Sequence, residues 1–228
     1  MLKIYGVPIS VHTRKAIVAA IAKSLPCEVV PVVPVIPGNP PPDWRELSPT
    51  GTIPALADGD FVVADSAAIC AYLERLNPEP SLYPRASRDY ARALALEQYA
   101  GTVFREIVRP LFHEVFVHPK IRGTLTDPAK IDAVLAQSMP EIFGYLDANA
   151  GGEYLVASSL SIADIAVASN LITYRYIGFD VDRKRFPRLA AWFDRIIREP
   201  ALSEALQREC GTVDSMGLDR TFVEAAFA

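Results

Sequence analysis

The chain has 228 residues but only three cysteines, and their spacing excludes two kinds of structure. Cys27, Cys70 and Cys210 are odd in number and widely separated, so they form neither a disulfide framework nor a zinc-binding pattern. The three histidines, His12, His113 and His118, also lie outside any metal-binding spacing. We therefore expect reduced thiols, a cytoplasmic location and no bound metal.

Basic runs and long apolar runs are also missing. A net charge of −4 without a basic stretch argues against nucleic acid as a partner. No apolar run approaches the roughly 20 residues that a membrane helix needs. The first ten residues, MLKIYGVPIS, lack the apolar centre of a secretory signal. The sequence predicts a globular chain of one or two domains, with no membrane partner, whose 50% hydrophobic content can fill a sizeable core.

The most informative stretch is TIPALADGDFVVADS, residues 52–66. Two strand-like runs, Ile53–Ala57 and Phe61–Ala64, flank Asp58-Gly59, and such a pair is a strong hairpin signal because glycine accepts a positive φ. Asp65-Ser66 then precedes a helical pattern. A helix start of this kind offers free N–H groups, a positive dipole end and the Ser66 hydroxyl, and it therefore predicts an anion-binding site.

Pro54 allows two interpretations. A proline in a strand can mark an edge strand or a strand start, since it cannot donate to the ladder. It can also form a cis bond that turns the backbone groups of Ile53 towards a ligand. The neighbouring residues alone leave both open.

The N-terminal part reads as a βαβ unit. Leu2–Tyr5 predicts a strand, Ser10 precedes a helix, and Glu28–Val33 predicts a second, parallel strand. Residues 31–42 hold six prolines and predict an extended surface loop, rather than an SH3-type ligand, before one short helical turn.

Everything after residue 86 predicts helices. Ser87–Val108 is one long amphipathic pattern that Pro110 ends or kinks, and another helix starts at Asp127-Pro128. Ser161-Ile162-Ala163-Asp164 is a capping box at the start of a third. We expect an α/β domain over 1–78, a linker over 79–86 and an all-helical domain over 87–228, in which residues 211–228 have no assigned role.

Three segments, in order, resemble the cytosolic glutathione transferase family: KIYGVPISVHTRK, GTIPALADGDFVVADSAAICAYLE and SIADIAVASN. The similarity covers about residues 1–209, and the first segment is most similar to the serine-type phi and theta classes. The resemblance implies an α/β thioredoxin-like N-terminal domain followed by an all-α domain, and a homodimer. It also implies a transferase that activates glutathione, its co-substrate, against small hydrophobic electrophiles in detoxification.

The resemblance also implies roles for individual residues. Ser10 would be the catalytic hydroxyl, a cis Pro54 with Ile53 would hold the cysteinyl backbone, and Asp65 with Ser66 would hold the γ-glutamyl group. The implied glutathione-binding residues are Thr52, Ile53, Pro54, Asp65 and Ser66. The implied electrophile site is Pro8, Ile9, Val11, Phe104, Val108 and Phe112. An apolar stripe like this can equally well belong to a core.

Two positions depart from the family pattern. Thr52 stands where many serine-type members have an amide side chain. Residues 31–43 contain no basic side chain, although members often place one there to hold the glycine carboxylate. Arg45 is the first cation available, and Arg45 or backbone amides could take that role.

The chemistry explains why a hydroxyl is needed at Ser10. A free thiol with a pKa near 8.5 is mostly protonated at neutral pH. A hydrogen bond to a charged group contributes about 1.5–3 kcal/mol, and about 1.36 kcal/mol corresponds to one pKa unit. One serine donor could therefore lower the thiol pKa by about one to two units. The alternative is that Ser10 only caps its helix.

Other activities remain open at this level. A glutathione-dependent isomerase, dehalogenase or peroxidase would use the same residues, and a non-catalytic binding protein could keep the fold without the chemistry. The absence of a C-x-x-C motif disfavours dithiol redox chemistry.

Overall fold

A computed structural model describes residues 1–36 and 38–227. Pro37, within the predicted proline loop, and Ala228 lie outside the described residues. The chain forms two compact units. The first comprises Met1–Tyr83 and Pro200–Thr212, and the second comprises Pro84–Glu199 and the chain from Val213 onward.

The first unit contains a four-stranded sheet in the order β2-β1-β3-β4. Its strands are β1 (Leu2–Tyr5), β2 (Cys27–Val30), β3 (Ala55–Asp58) and β4 (Phe61–Ala64). β1 is parallel to β2 and antiparallel to β3, and β3 and β4 form an antiparallel hairpin. The predicted βαβ unit followed by a hairpin is confirmed.

Two boundaries in this sheet differ from the prediction. β2 ends at Val30 rather than Val33, because Pro31 has no N–H to continue the ladder. The hairpin loop is Gly59-Asp60 rather than Asp58-Gly59, since Asp58 still pairs with Phe61. Gly59 has φ +62°, the conformation for which glycine was expected here.

The first three helices of the chain lie in the first unit: α1 (Val11–Ala22), the short α2 (Trp44–Leu47), which was predicted, and α3 (Ser66–Leu76). Cys70 of α3 is fully buried, with its thiol 3.9 Å from the Lys15 carbonyl of α1. The fully buried Lys23 donates to the carbonyls of Pro78 and Pro80 and pairs with Glu74. The residues that follow α3 are therefore tied to the end of α1.

The helices of the second unit follow one another closely: α4 (Ser87–Val103), α5 (Arg109–Phe112), α6 (Pro128–Ala133), α7 (Met139–Asn149), α8 (Ile162–Tyr176), α9 (Pro187–Ile196) and α11 (Thr221–Phe227). α10 (Pro200–Ser215) belongs to the first unit up to Thr212. Among the described residues, no helix is long and apolar enough to cross a membrane.

The long helix does not end at Pro110. α4 continues through a π-helical segment (Phe104–Val108), α5 and a second π-helical segment (His113–Arg122). A proline removes one backbone donor and crowds the preceding turn, and π turns commonly accompany such irregularities. The helical conformation therefore passes through Pro110 in wider turns, and Gly123 ends it with φ +63°.

α8 is the central helix of the second unit, and nearly all of its residues are buried. The predicted capping box is present: Asp164 accepts hydrogen bonds from the Ser161 N–H at 3.0 Å and the Ser161 hydroxyl at 2.6 Å. The same carboxylate accepts from the Leu155 N–H at 2.8 Å and the Trp192 indole at 3.2 Å. Burial raises the pKa of Asp164, and these four donors oppose that rise.

The C-terminal residues, which had no assigned role, pack on the second unit. Phe222 of α11 is buried, 5.3 Å from the Tyr176 ring and below the Arg175 guanidinium at 5.0 Å. Residues 221–227 thus complete an aromatic part of the helical core.

Candidate functional site

The N-terminus of α3 is built around Asp65. Its side chain accepts hydrogen bonds from the N–H groups of Ala67 at 2.8 Å and Ala68 at 3.2 Å. The N-cap of α3 is therefore Asp65 rather than Ser66, because the Asp65 side chain accepts from two backbone N–H groups that have no partner within the helix. Asp65 also has φ +81°, a conformation that non-glycine residues adopt rarely and at a cost of about 1–3 kcal/mol. Such conformations cluster at ligand sites.

Ser66, one residue further on, is not needed for the cap. It is buried, and its hydroxyl has no hydrogen-bond partner among the described residues. The oxygen is not among the buried polar atoms that lack a partner, so it remains accessible from solvent. The hydroxyl can therefore donate to an acceptor on a ligand, which the positive end of the helix would also stabilise.

His12 of α1 interacts electrostatically with this corner of the sheet. Burial lowers the pKa of its ring, the positive charge of Lys15 lowers it further, and the Asp65 carboxylate opposes both. Burial thus disfavours the charged form of the His12 ring, and the Asp65 carboxylate remains a candidate partner for a ligand ammonium group.

The Ile53–Pro54 peptide bond is cis, as predicted. The Ile53 side chain packs against the cluster of Val32, Trp44 and Ala55. No hydrogen bond joins the Ile53 backbone to another described residue. Its N–H and carbonyl are thus available to pair with an extended ligand, as an unpaired strand edge would.

The segment before Ile53 is held by short polar contacts. The buried Ser48 hydroxyl donates to the Thr52 carbonyl at 2.6 Å, while the exposed Thr52 hydroxyl lies 2.7 Å from that of Thr50. The Arg45 guanidinium donates to the Pro49 carbonyl at 2.9 Å and lies against Gly51. Gly51 has φ +70°, a conformation that favours glycine, and a Cβ there would come within 2.6 Å of the Arg45 Cζ and displace that side chain.

Ser10 is the N-cap of α1. Its hydroxyl oxygen accepts a long hydrogen bond, 3.5 Å, from the Thr13 N–H. A serine hydroxyl carries one donor besides its lone pairs, so this contact leaves the proton available to a ligand. The two interpretations of Ser10, cap and donor, are compatible in this geometry.

A pair of charged residues that the sequence pattern did not indicate supports the Ser10 turn. Buried Arg14 donates from Nε to both carboxylate oxygens of Glu209 at 3.0 Å, and from its other end to the Ile9 carbonyl at 3.1 Å. These contacts link α10 to the residue before Ser10. The two residues are 195 positions apart, so no local motif contains both. The one sequence signal for the pair is a charged residue within an apolar helical pattern.

The residues expected at an electrophile site differ in accessibility. Ile9 and Val11 in the first unit are buried, and Pro8 is half-buried. In the second unit Phe104 and Phe112 are half-buried, whereas Val108 is only 1% exposed and packs as a core residue. Among the described residues, no group of three or more His, Cys, Asp or Glu side chains could hold a metal ion.

The fold and the site together define a two-part architecture: a thioredoxin-like mixed sheet with a ligand corner, followed by a helical unit. Residues 4–81 match the family profile described as "Glutathione S-transferase, N-terminal domain". Residues 128–195 match that described as "Glutathione S-transferase, C-terminal domain". The chain belongs to the glutathione transferase family.

Individual relatives agree with this assignment. The chain is 26% identical over 208 residues to glutathione S-transferase Z2 of Arabidopsis thaliana, with 90% of each chain covered. A solved glutathione S-transferase from Rhodospirillum rubrum F11 is 26% identical, with a TM-score of 0.85 and 98% of each chain covered. The theta class enzyme of Xanthomonas axonopodis pv. citri, solved with glutathione bound, is 29% identical, with a TM-score of 0.75 over 90% of this chain and 95% of that one.

Proposed function

We propose that this protein is a glutathione transferase that activates the glutathione thiol for attack on small hydrophobic electrophiles. The observation that carries the proposal is the Ser66 hydroxyl, which has no hydrogen-bond partner among the described residues, beside the Asp65 carboxylate at the start of α3. A γ-glutamyl group has both an ammonium and a carboxylate. Asp65 suits the first, and Ser66 with the helix N-terminus suits the second.

The remaining backbone of glutathione would pair with Ile53, whose N–H and carbonyl have no partner among the described residues. Its glycine carboxylate needs a donor near Thr52, where the exposed Arg45 guanidinium lies against Gly51. Arg45 already donates to the Pro49 carbonyl through one nitrogen, and a guanidinium has five N–H donors. We assign Arg45 to the glycine carboxylate.

The chemical step would centre on Ser10. Its hydroxyl donates to the sulfur, which lowers the thiol pKa, and the thiol proton leaves to solvent. The thiolate then attacks the electrophilic carbon. A carbon–sulfur bond forms with the sulfur electron pair, and the leaving group departs with the electrons of its own bond. No general base from the protein is required.

The finer choice between transferase, isomerase, dehalogenase and peroxidase depends on the electrophile. The half-buried Phe104 and Phe112 in the second unit are candidate apolar surface for a hydrophobic substrate, which does not by itself separate these activities. A cytoplasmic role in detoxification fits three cysteines without a disulfide among the described residues.

Two assays test this function. The protein should be retained on immobilised glutathione and eluted by free glutathione, and it should then conjugate glutathione to a chromogenic aryl halide. Retention without turnover on a panel of aryl halides, epoxides and peroxides would identify a non-catalytic binding protein. If the protein showed neither retention on glutathione nor turnover, the proposed function would be contradicted.

We also propose a homodimer. β4 is an edge strand, and its Phe61 and Val62 side chains are 45% and 37% exposed, an unusual placement for apolar residues on an unpaired edge. We expect a solution mass of twice the 24.9 kDa of one chain at micromolar concentration. Phe61→Glu should shift the mass towards one chain, whereas Leu125→Glu, at a 93% exposed position, should not. A single-chain mass for the unaltered protein contradicts the proposal.

A further inference from the structure

The helical unit contains a pocket of about 490 Å³ that the proposed glutathione chemistry does not use. It lies between the helical segment that includes α5 and the segment that contains α6 and Val134. Its lining residues are mainly basic: Arg105, Arg109, His113, His118 and Lys130, with Glu114, Pro110, Ala133 and Val134. Its volume falls within the roughly 300–1,000 Å³ range of small-molecule sites.

The one carboxylate in the pocket is already fully engaged. Glu114 is buried and accepts from the Asp127 N–H at 3.0 Å, which is the main reason that its pKa is lowered. The His118 ring lies 3.1 Å and the Lys130 ammonium 3.4 Å from the same carboxylate. Glu114 therefore organises one wall of the pocket and has little capacity left to neutralise further cations.

The same helical run also presents positive charge without a matching carboxylate. Arg105 and Arg109 lie one turn apart on it. Among the described residues, Arg105 donates only to the Thr102 hydroxyl, at 3.1 Å. Neither Arg105 nor Arg109 has a carboxylate within ion-pair distance among the described residues. Like charges one turn apart destabilise a helix, so an anion bound between them would be favoured.

We propose that this pocket binds a small organic molecule through a compact dianionic group, such as a phosphate monoester. Lys130 is balanced by the carboxylates of Glu114 at 3.4 Å and Asp127 at 3.9 Å. Arg105 and Arg109 contribute two positive charges with no carboxylate at ion-pair distance among the described residues. Guanidinium groups recognise phosphate by paired hydrogen bonds. Pro110, Ala133 and Val134 provide apolar contact for the organic part. This site is separate from the α3 residues proposed for glutathione and does not depend on that function.

Calorimetric titration with phenyl phosphate at fixed ionic strength tests the proposal. We expect saturable binding to the full chain, weaker binding of inorganic phosphate and no heat with phenol. Arg109→Gln should raise the dissociation constant at least tenfold, equivalent to about 1.4 kcal/mol. Arg105→Gln should act in the same direction, so that the result does not depend on one variant folding well. Equal affinity for phenyl phosphate and inorganic phosphate, or equal heat with phenol, would overturn it.

Matched variants separate this pocket from general charge effects. Arg92→Gln removes a 74% exposed charge elsewhere on the same helical run and should leave phenyl phosphate binding unchanged. Ser66→Ala should also leave it unchanged, whereas loss of binding in Ser66→Ala would place the anion at α3. An equal effect of Arg92→Gln and Arg109→Gln would contradict a specific site. Arg109→Gln should still bind glutathione, so the two proposals can fail independently.

Discussion

Ser10→Ala should reduce conjugation turnover by at least tenfold while leaving the glutathione dissociation constant nearly unchanged. The hydroxyl donates to the sulfur, which contributes little to binding of the ground state but much to ionisation of the nucleophile. If the pKa of the glutathione thiol rises by about one to two units, about ten- to a hundredfold less thiolate is present at neutral pH. Turnover and the spectroscopic pKa of bound glutathione are the measurements.

A second variant separates this role from helix capping. Ser10→Asp keeps an acceptor for the Thr13 N–H, which aspartate caps as well as serine does, but it has no hydroxyl to donate. It should therefore melt close to the unaltered protein and remain inactive. Full turnover in Ser10→Ala would remove Ser10 from the mechanism, and an equal loss of binding and turnover would make it structural.

Ser66→Ala should weaken glutathione binding by about tenfold to more than a hundredfold. The hydroxyl would donate to a carboxylate, and such a bond contributes about 1.5–3 kcal/mol; each 1.4 kcal/mol is about tenfold in affinity. The melting temperature should change little, because Asp65 rather than Ser66 caps α3. Titration of both proteins with glutathione, beside their melting curves, gives the two quantities.

Ser87 offers a matched control for this variant. It is likewise the first residue of a helix and follows the N-cap, but it is exposed and lies in the second unit. Ser87→Ala should leave glutathione affinity unchanged. A loss of stability without a loss of affinity in Ser66→Ala would indicate a structural serine.

Features set by neighbouring residues were predictable from the sequence. The strand and hairpin order follows from alternating apolar runs and the glycine turn, and the Ser161–Asp164 box needs only four consecutive residues. The cis bond before Pro54 was suggested by the order of motifs around it.

Three features of the structure were not predicted from the sequence. Asp65 caps α3 in a rare backbone conformation that the sequence pattern did not indicate. Pro110 was expected to end or kink the long helix, but π turns carry the helix past it. The Arg14–Glu209 pair draws α10 into the first unit across 195 residues of chain. Of these three features, the Arg14–Glu209 pair depends on a contact between residues that are distant in sequence.

The most direct test of the central proposal is calorimetric titration of the unaltered protein with glutathione. The geometry of Ile53, Asp65 and Ser66 predicts saturable heat with one site per chain and a dissociation constant in the millimolar range or below. No heat at millimolar glutathione would contradict the transferase function, although the family membership would stand.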